Sequence, residues 1–330
     1  MTKQESLNYL GDSLLIWGKK FKLREGNEMY KEIKSSTTWK LIKPINKGWS
    51  TDLKYYIETN NHEKLLLRIA DISCYDEKKK EYEIICKYSK LGFIMSMPIE
   101  FGVCNENRQV YVLLTWVEGD DLAEVLPKLS HEKQYKLGRE AGMILKKIHN
   151  LEVLDSEIPK ETKIPKKLNQ IHLYMNSNVR IENDDLALAY TKNNIDKIWR
   201  MNPCYLHGDF HPGNLILTSN GKIGVIDFNR WEIGDQYEEF YKLESFGVEL
   251  SIPYCIGQID AYFENQVPLQ FWEALAVYVA HASLYSIKWA EKFGQNETDE
   301  MIKRCKRAFN HYDNFHLIIP TWYEQYKKGS

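Results

Sequence analysis

Tyr205-Leu206-His207-Gly208-Asp209-Phe210-His211-Pro212-Gly213-Asn214, closely followed by Val225-Ile226-Asp227-Phe228-Asn229, is the part of the 330-residue chain whose reading decides the fold. Between the two lie short apolar runs, Leu215 to Thr218 and Lys222 to Ile226, joined through Ser219-Asn220-Gly221. Asn-Gly between apolar runs is a strong hairpin signal, because the favoured two-residue turn needs positive φ. A hairpin returns the chain on itself, so Asn214 at its entry and Asp227 at its exit finish close together. Asp209 stands one short loop upstream. Either half alone reads equally well as an ordinary turn. Taken together, they gather two carboxylates and an amide at one end of a hairpin.

Such a set suits one chemistry. Phosphoryl transfer from a nucleotide needs a carboxylate to orient the acceptor hydroxyl and oxygen ligands for Mg2+. Asp209 followed by Asn214 has the spacing of a kinase catalytic loop, H-x-D-x-x-x-x-N, with His207 at its head. Asp227-Phe228 has the place and the apolar partner of the metal-binding Asp-Phe-Gly. A competing reading takes His207, Asp209 and His211 as metal ligands at alternate positions of an extended strand. Pro212-Gly213 interrupts that strand, and no further ligand cluster stands nearby.

Outward from this centre the chain changes texture. Upstream, Leu41 to Ile45 leads into the turn Asn46-Lys47-Gly48-Trp49-Ser50-Thr51. Tyr55-Tyr56-Ile57 and Leu65 to Ile69 then flank the polar break Asn60 to Glu63, which reads as a hairpin. Asp76 to Leu91 suits a helix, and Ile99 to Cys104 and Gln109 to Trp116 read as two strands. Residues 1–38 carry no clear period, with a packed helix as the one suggestion. After Glu118-Gly119-Asp120 the texture is helical. Leu137, Ala141, Ile144, Leu145 and Ile148 form an amphipathic stripe behind a cap at Ser130. Pro268 to Phe293 and Thr298 to Phe315 also read as helices.

Composition excludes several classes. At 43% hydrophobic and 13% aromatic residues the chain has ample material for a core. Its 44 Lys and Arg against 46 Asp and Glu give a formal charge of −2, which argues against nucleic acid or a membrane surface as partner. No apolar run approaches a membrane span. Leu14-Leu15-Ile16-Trp17 is too short for a signal-peptide core. The six cysteines are scattered without C-x-x-C and read as reduced thiols of a cytoplasmic protein.

The run His207 to Asn214, with Ile226-Asp227-Phe228, resembles the aminoglycoside phosphotransferase family. Its relatives include choline, homoserine and methylthioribose kinases, and all share the protein-kinase-like fold. The resemblance spans Lys40 to Glu249. It implies an α+β, bilobal fold with a small antiparallel β-rich lobe carrying one helix and a larger, mostly helical lobe. The nucleotide-binding lobe would be residues 1–114, with 1–38 as an extension, the hinge linker 115–120, and the helical lobe with the acceptor site 121–330. Asp209 is then the catalytic base, and Asn214 and Asp227 hold Mg2+. The phosphate-covering turn would be Lys47 to Asp52, with the Ser50 or Thr51 hydroxyl beside backbone amides. Arg68 stands where the family places a phosphate-binding Lys, with Glu83 as its helix partner and Glu81 as the alternative. An edge-strand salt bridge is the plainer reading of Arg68. The Thr115 carbonyl and Val117 amide would pair with the purine of ATP or GTP.

Two departures argue against a protein kinase switched by phosphorylation: Gly208 replaces an Arg, and no Ala-Pro-Glu follows Asp227. Asp235 to Glu239 is acidic, with Glu238 and Glu239 as candidates for a polycationic acceptor and Asp235 as a helix cap. Trp272, Tyr278, Tyr285 and Trp289 read as a packed helix face. The expected activity is Mg2+-dependent transfer of the nucleotide γ-phosphate to a hydroxyl of an aminoglycoside-type antibiotic. The alternatives are a kinase of another small alcohol (choline, homoserine or a sugar) or a catalytically silent kinase-like protein.

Overall fold

The computed structural model describes residues 15–16, 19–20, 30–46 and 51–329. A short antiparallel pair, β1 (Leu15–Ile16) and β2 (Lys19–Lys20), is the first described element, and the rest of the segment suggested as a packed helix, up to residue 29, lies outside the described residues. A 3-10 turn (Lys34–Thr38) leads into β3 (Trp39–Ile45), β4 (Leu53–Thr59) and β5 (Lys64–Asp71). Next come α1 (Tyr75–Tyr88), β6 (Ile94–Met95), β7 (Pro98–Cys104) and β8 (Gln109–Thr115). The rest is β9 (Asp120–Asp121), α2 (Leu122–Val125), α3 (His131–His149), α4 (Ile164–Met175), α5 (Asp184–Asn194) and β10 (Cys204–Leu206). After these follow β11 (Leu215–Leu217), β12 (Ile223–Val225), β13 (Glu232–Gly234), α6 (Ile252–Tyr262), α7 (Leu269–Ala290), α8 (Gln295–His311) and α9 (Thr321–Gly329). Packing divides the chain into two compact units. One comprises residues up to Lys78 with Glu100–Leu113, the other Lys79–Ile99 with residues from Leu114 onward.

The first unit is a sheet of strand order β3-β4-β5-β8-β7. Strand side chains alternate between faces, so Leu65, Leu67 and Ile69 of β5 bury together with Ile57 and Leu113. Tyr30 and Ile33 close the same core from the segment ahead of the sheet. β5 is an interior strand, which overturns the edge-strand reading of Arg68.

In the second unit, α3 and α6 cross almost backbone to backbone. A Cβ at Gly138, Gly142 or Gly257 would stand 2.0, 2.3 or 2.3 Å from a carbonyl oxygen of the facing helix. α6 is buried on nearly every side, so it carries no polar stripe that periodicity could detect. α7 is also largely apolar and packs against α4, α5 and α8. The expected hairpin is β11–β12, antiparallel with Leu215 opposite Val225. It sits in a four-stranded sheet of order β6-β12-β11-β9, and β10 pairs with β13 beside it. The fold is thus mixed, a β-rich N-terminal sheet followed by a helical C-terminal part. All six cysteines are free thiols. Among the described residues, no helix is long and apolar enough to cross a membrane.

Candidate active site

The β11–β12 register decides the site. Beyond the Leu215–Val225 pair, the Ile226 amide donates to the Asn214 carbonyl at 3.1 Å, which sets Asn214 beside the residue preceding Asp227. Asn214 Nδ2 donates to the Asp209 carbonyl at 2.9 Å, tying the amide to the loop. Its Oδ1 makes no hydrogen bond among the described residues. Asp227 adopts φ of 63°, a left-handed conformation that a short polar side chain tolerates. Phe228 anchors the turn, buried with its ring 4.9 Å from His207 and 5.6 Å from Tyr88. The hairpin therefore sets Asn214, tied to the Asp209 carbonyl, beside the residue that precedes Asp227.

The loop ahead of Asp209 is held by groups that no motif announces. Gly208 has φ of +80°, and a Cβ there would lie 1.8 Å from the Arg230 carbonyl oxygen. This position admits no side chain, which explains the missing Arg. Glu239 is buried and accepts from the amides of His207 at 2.6 Å and Gly208 at 2.9 Å. Burial favours its neutral form, but His149, His207 and the Gly208 amide outweigh that and hold the carboxyl below its ordinary value. Glu239 thus holds the loop ahead of Asp209, and the expectation that it meets an acceptor is corrected. His207 accepts from the Asp209 amide at Nδ1 (3.2 Å) and donates from Nε2 to the Ile226 carbonyl (3.1 Å). With both ring nitrogens engaged, His207 is no metal ligand. No cluster of three His, Cys, Asp or Glu suited to a metal occurs among the described residues.

Basic side chains surround the Asp209 carboxylate. Lys242 Nζ donates to Oδ1 at 2.5 Å, His211 Nε2 lies 3.7 Å from Oδ1, and Arg230 Nε lies 3.7 Å from Oδ2. Burial raises the carboxyl pKa, yet Lys242, His211 and Arg230 prevail and hold it far below the carboxylate range. Burial pushes His211 down to about 4 against the pull of Asp209, and its ring stacks on Phe246 at 4.7 Å. Lys242 is buried immediately before a π-helical turn, Leu243–Gly247, closed by the Val248 amide on the Leu243 carbonyl at 2.8 Å. Burial disfavours its charge, but Tyr241 and Asp209 more than restore it. An ionised carboxylate with one oxygen fixed by an ammonium can accept a hydroxyl proton through the other.

The remaining candidates are placed as follows. The Thr115 amide donates to the Met97 carbonyl at 2.9 Å, and its Oγ1 accepts from the Met97 amide at 2.8 Å. The Val117 amide makes no hydrogen bond among the described residues. The Val117 side chain fills the space above Gly224, where a Cβ would stand 2.5 Å from Val117 Cγ1. The expected hinge therefore abuts the strand that leads to Asp227. Ser50 lies outside the described residues, as do Lys47 to Trp49, while Thr51 is exposed.

Arg68 is buried in an ion cluster. Its Nε (3.0 Å) and Nη2 (2.5 Å) donate to Asp52 Oδ2, which also accepts from Lys78 Nζ at 2.7 Å. Burial pushes the Asp52 carboxyl up, but Arg68 and Lys78 bring it below its ordinary value. On α1, Glu83 is exposed whereas Glu81 is 2% exposed, so burial reverses the preference for Glu83. Glu238 pairs with Lys167 at 2.6 Å, and its other oxygen is buried without a partner. Asp235 does cap a helix, accepting from the amides of Tyr237 (3.1 Å) and Trp199 (2.7 Å) and from the Tyr278 hydroxyl (2.6 Å). The aromatic face of α7 divides. Trp272 and Tyr278 are buried, whereas Tyr285 and Trp289 help line a cavity of about 290 Å3.

Comparison with known proteins bears on this arrangement. Residues 41–277 match the model of the phosphotransferase enzyme family. No curated protein matches the chain. Among solved structures, aminoglycoside 2'-phosphotransferase-IIIa in its GDP complex is similar, with a TM-score of 0.69 at 14% identity, covering 85% of this chain and 96% of that one. A thermostable aminoglycoside phosphotransferase with ADP and hygromycin B gives 0.63 at 16% identity, covering 84% and 95%. Amicoumacin kinase with AMP-PNP and Ca2+ gives 0.63 at 12% identity, covering 89% and 95%. At these identities the structures establish the fold, which is protein-kinase-like. The family match extends over most of the chain and over every residue of the Asp209 site, and so the chain belongs to the phosphotransferase enzyme family and is a phosphotransferase.

Proposed function

We propose that this enzyme transfers the γ-phosphate of ATP or GTP to a hydroxyl of a small molecule in a Mg2+-dependent reaction. The observation that carries the reading is the convergence of Asp209, Asn214 and Asp227 on one hairpin. Asp209 is the catalytic base: its charge is maintained by Lys242, and it orients the acceptor hydroxyl. Asn214 Oδ1 and the Asp227 carboxylate are hard oxygen donors, the type that Mg2+ prefers. When bound, the ion supplies charge neutralisation on the phosphate oxygens. Ser50, Thr51 and Arg68 are proposed for the phosphates, and the Thr115 carbonyl and Val117 amide for the purine. Neighbours bound to GDP, ADP and AMP-PNP support a nucleotide donor. Free thiols support a cytoplasmic setting.

The names of the structural neighbours favour an aminoglycoside-type antibiotic as acceptor, with choline, homoserine or a sugar as alternatives. The charge beside Asp209 discriminates among these classes below. The base assignment has a direct test. Asp209→Asn keeps the shape but loses the proton acceptor, so nucleoside diphosphate release should fall at least about 10²-fold with little change in nucleotide affinity. Wild-type turnover in that variant would contradict the assignment.

A further inference from the structure

Arg230 links the base to an aromatic cavity. Its Nε is 3.7 Å from Asp209 Oδ2, and its guanidinium carbon lies 5.9 Å from the Trp289 ring. Lys292 Nζ lies 5.5 Å from the same ring and 4.8 Å from the Phe293 ring. One indole is therefore flanked by two cations, one of which reaches the catalytic carboxylate. The cavity of about 290 Å3 is lined by Trp289 and Lys292 with Leu173, Tyr285, Lys288 and Glu291, and Arg230 approaches it through the Trp289 ring. Its one lining carboxylate, Glu291, is taken by Lys288 and the Ser177 hydroxyl. Glu232 and Glu238, acidic residues that follow Asp227 in sequence, are likewise held by Lys163 and Lys167. Lys292 is exposed and has no ion-pair partner among the described residues.

We infer that the acceptor carries an anionic group on a planar, apolar body, and that Arg230, Trp289 and Lys292 form its subsite beside Asp209. A polycation entering here would meet Arg230 and Lys292 and find every lining carboxylate already paired. A carboxylate or phosphate group would instead receive charge-assisted hydrogen bonds from the guanidinium fork and the ammonium. A flat body would stack on Trp289 and Tyr285, leaving a hydroxyl on the same molecule to reach Asp209. The inference rests on the phosphotransferase reading and changes its acceptor from a cationic to an anionic class.

The test uses two probes matched in shape, 4-(hydroxymethyl)benzoate and 4-(hydroxymethyl)benzylamine, with kanamycin as the polycation. Each is titrated against the full-length protein while tryptophan fluorescence is followed, with Trp289→Phe to assign the signal. The carboxylate should bind about tenfold tighter than the amine, the scale of one charge-assisted hydrogen bond. Lys292→Glu should reverse that order. Equal or tighter binding of the amine or of kanamycin overturns the inference, and so does the absence of saturable quenching by the carboxylate. Mg2+-dependent hydrolysis of nucleotide alone is measured in parallel. Its absence would count against the proposed Mg2+-dependent transfer from a nucleotide, whereas hydrolysis with amine preference sinks only the acceptor class.

Discussion

The proposed role of Asp209 as proton acceptor rests on what surrounds it. Burial alone would raise its pKa, and Lys242, donating to Oδ1 at 2.5 Å, leads the basic groups that together outweigh burial. Lys242→Met removes that contact without leaving a gap. It should lower kcat by about 10–100-fold, the value of a lost charge-assisted hydrogen bond, and leave nucleotide affinity near wild type. Lys242→Arg should recover part of the loss. Steady-state kinetics with unchanged kcat in Lys242→Met would show that Lys242 has no hold on the base. A second buried group governs stability. His281, inside α7, has an Nε2 without a partner, and burial first and Lys167 second keep its pKa well below 6.5. The unfolded chain therefore takes up this proton before the folded one, and stability falls as pH drops below the ordinary histidine value. His281→Leu should flatten that acid limb. Urea midpoints measured above and below the limb, falling equally in both proteins, would contradict the assignment.

At the level of elements, the β11–β12 hairpin positions Asn214 and Asp227, and the α3–α6 crossing brings two helix backbones close. Gly142 stands mid-helix, where Ala would gain about 1 kcal/mol of propensity. A Cβ there would meet the Gln258 carbonyl oxygen at 2.3 Å, and overpacking costs about 1–3 kcal/mol. Backbone cannot rotate away as a side chain can, so the clash prevails and Gly142→Ala should destabilise. Thermal unfolding at or above the wild-type midpoint would show that the helices separate freely. The hairpin and the sheet were legible because their signals are local: Asn220-Gly221 between apolar runs, and the apolar runs Tyr55 to Ile57 and Leu65 to Ile69 around the polar break Asn60 to Glu63. α6 was not, because a helix buried all round has no period. Residues 30–38 were missed as well: Tyr30 and Ile33 join the sheet core through tertiary contact, not through any repeat of their own.

Across the whole molecule, a net charge of −2 conceals how charge is arranged. Acidic residues after Asp227 suggested a polycationic acceptor, yet lysines far away in sequence pair with Glu232 and Glu238, and Lys288, one helical turn away, pairs with Glu291. The same limit applied to the site. Asp209, Asn214 and Asp227 could be read because five positions and one hairpin define their geometry. Lys242, Arg230 and Glu239 could not, since each reaches the loop from a separate turn. Glu81 and Glu83 are two residues apart on α1, and only packing reveals which one faces inward. The most direct test of the central claim is calorimetric titration of ATP and GTP, with and without Mg2+, into wild type, Asp209→Asn and Asp227→Ala. Wild type and Asp209→Asn should bind the metal–nucleotide with similar affinity, and Asp227→Ala should lose the Mg2+-dependent part. Equal binding by all three proteins, with or without Mg2+, would contradict the account.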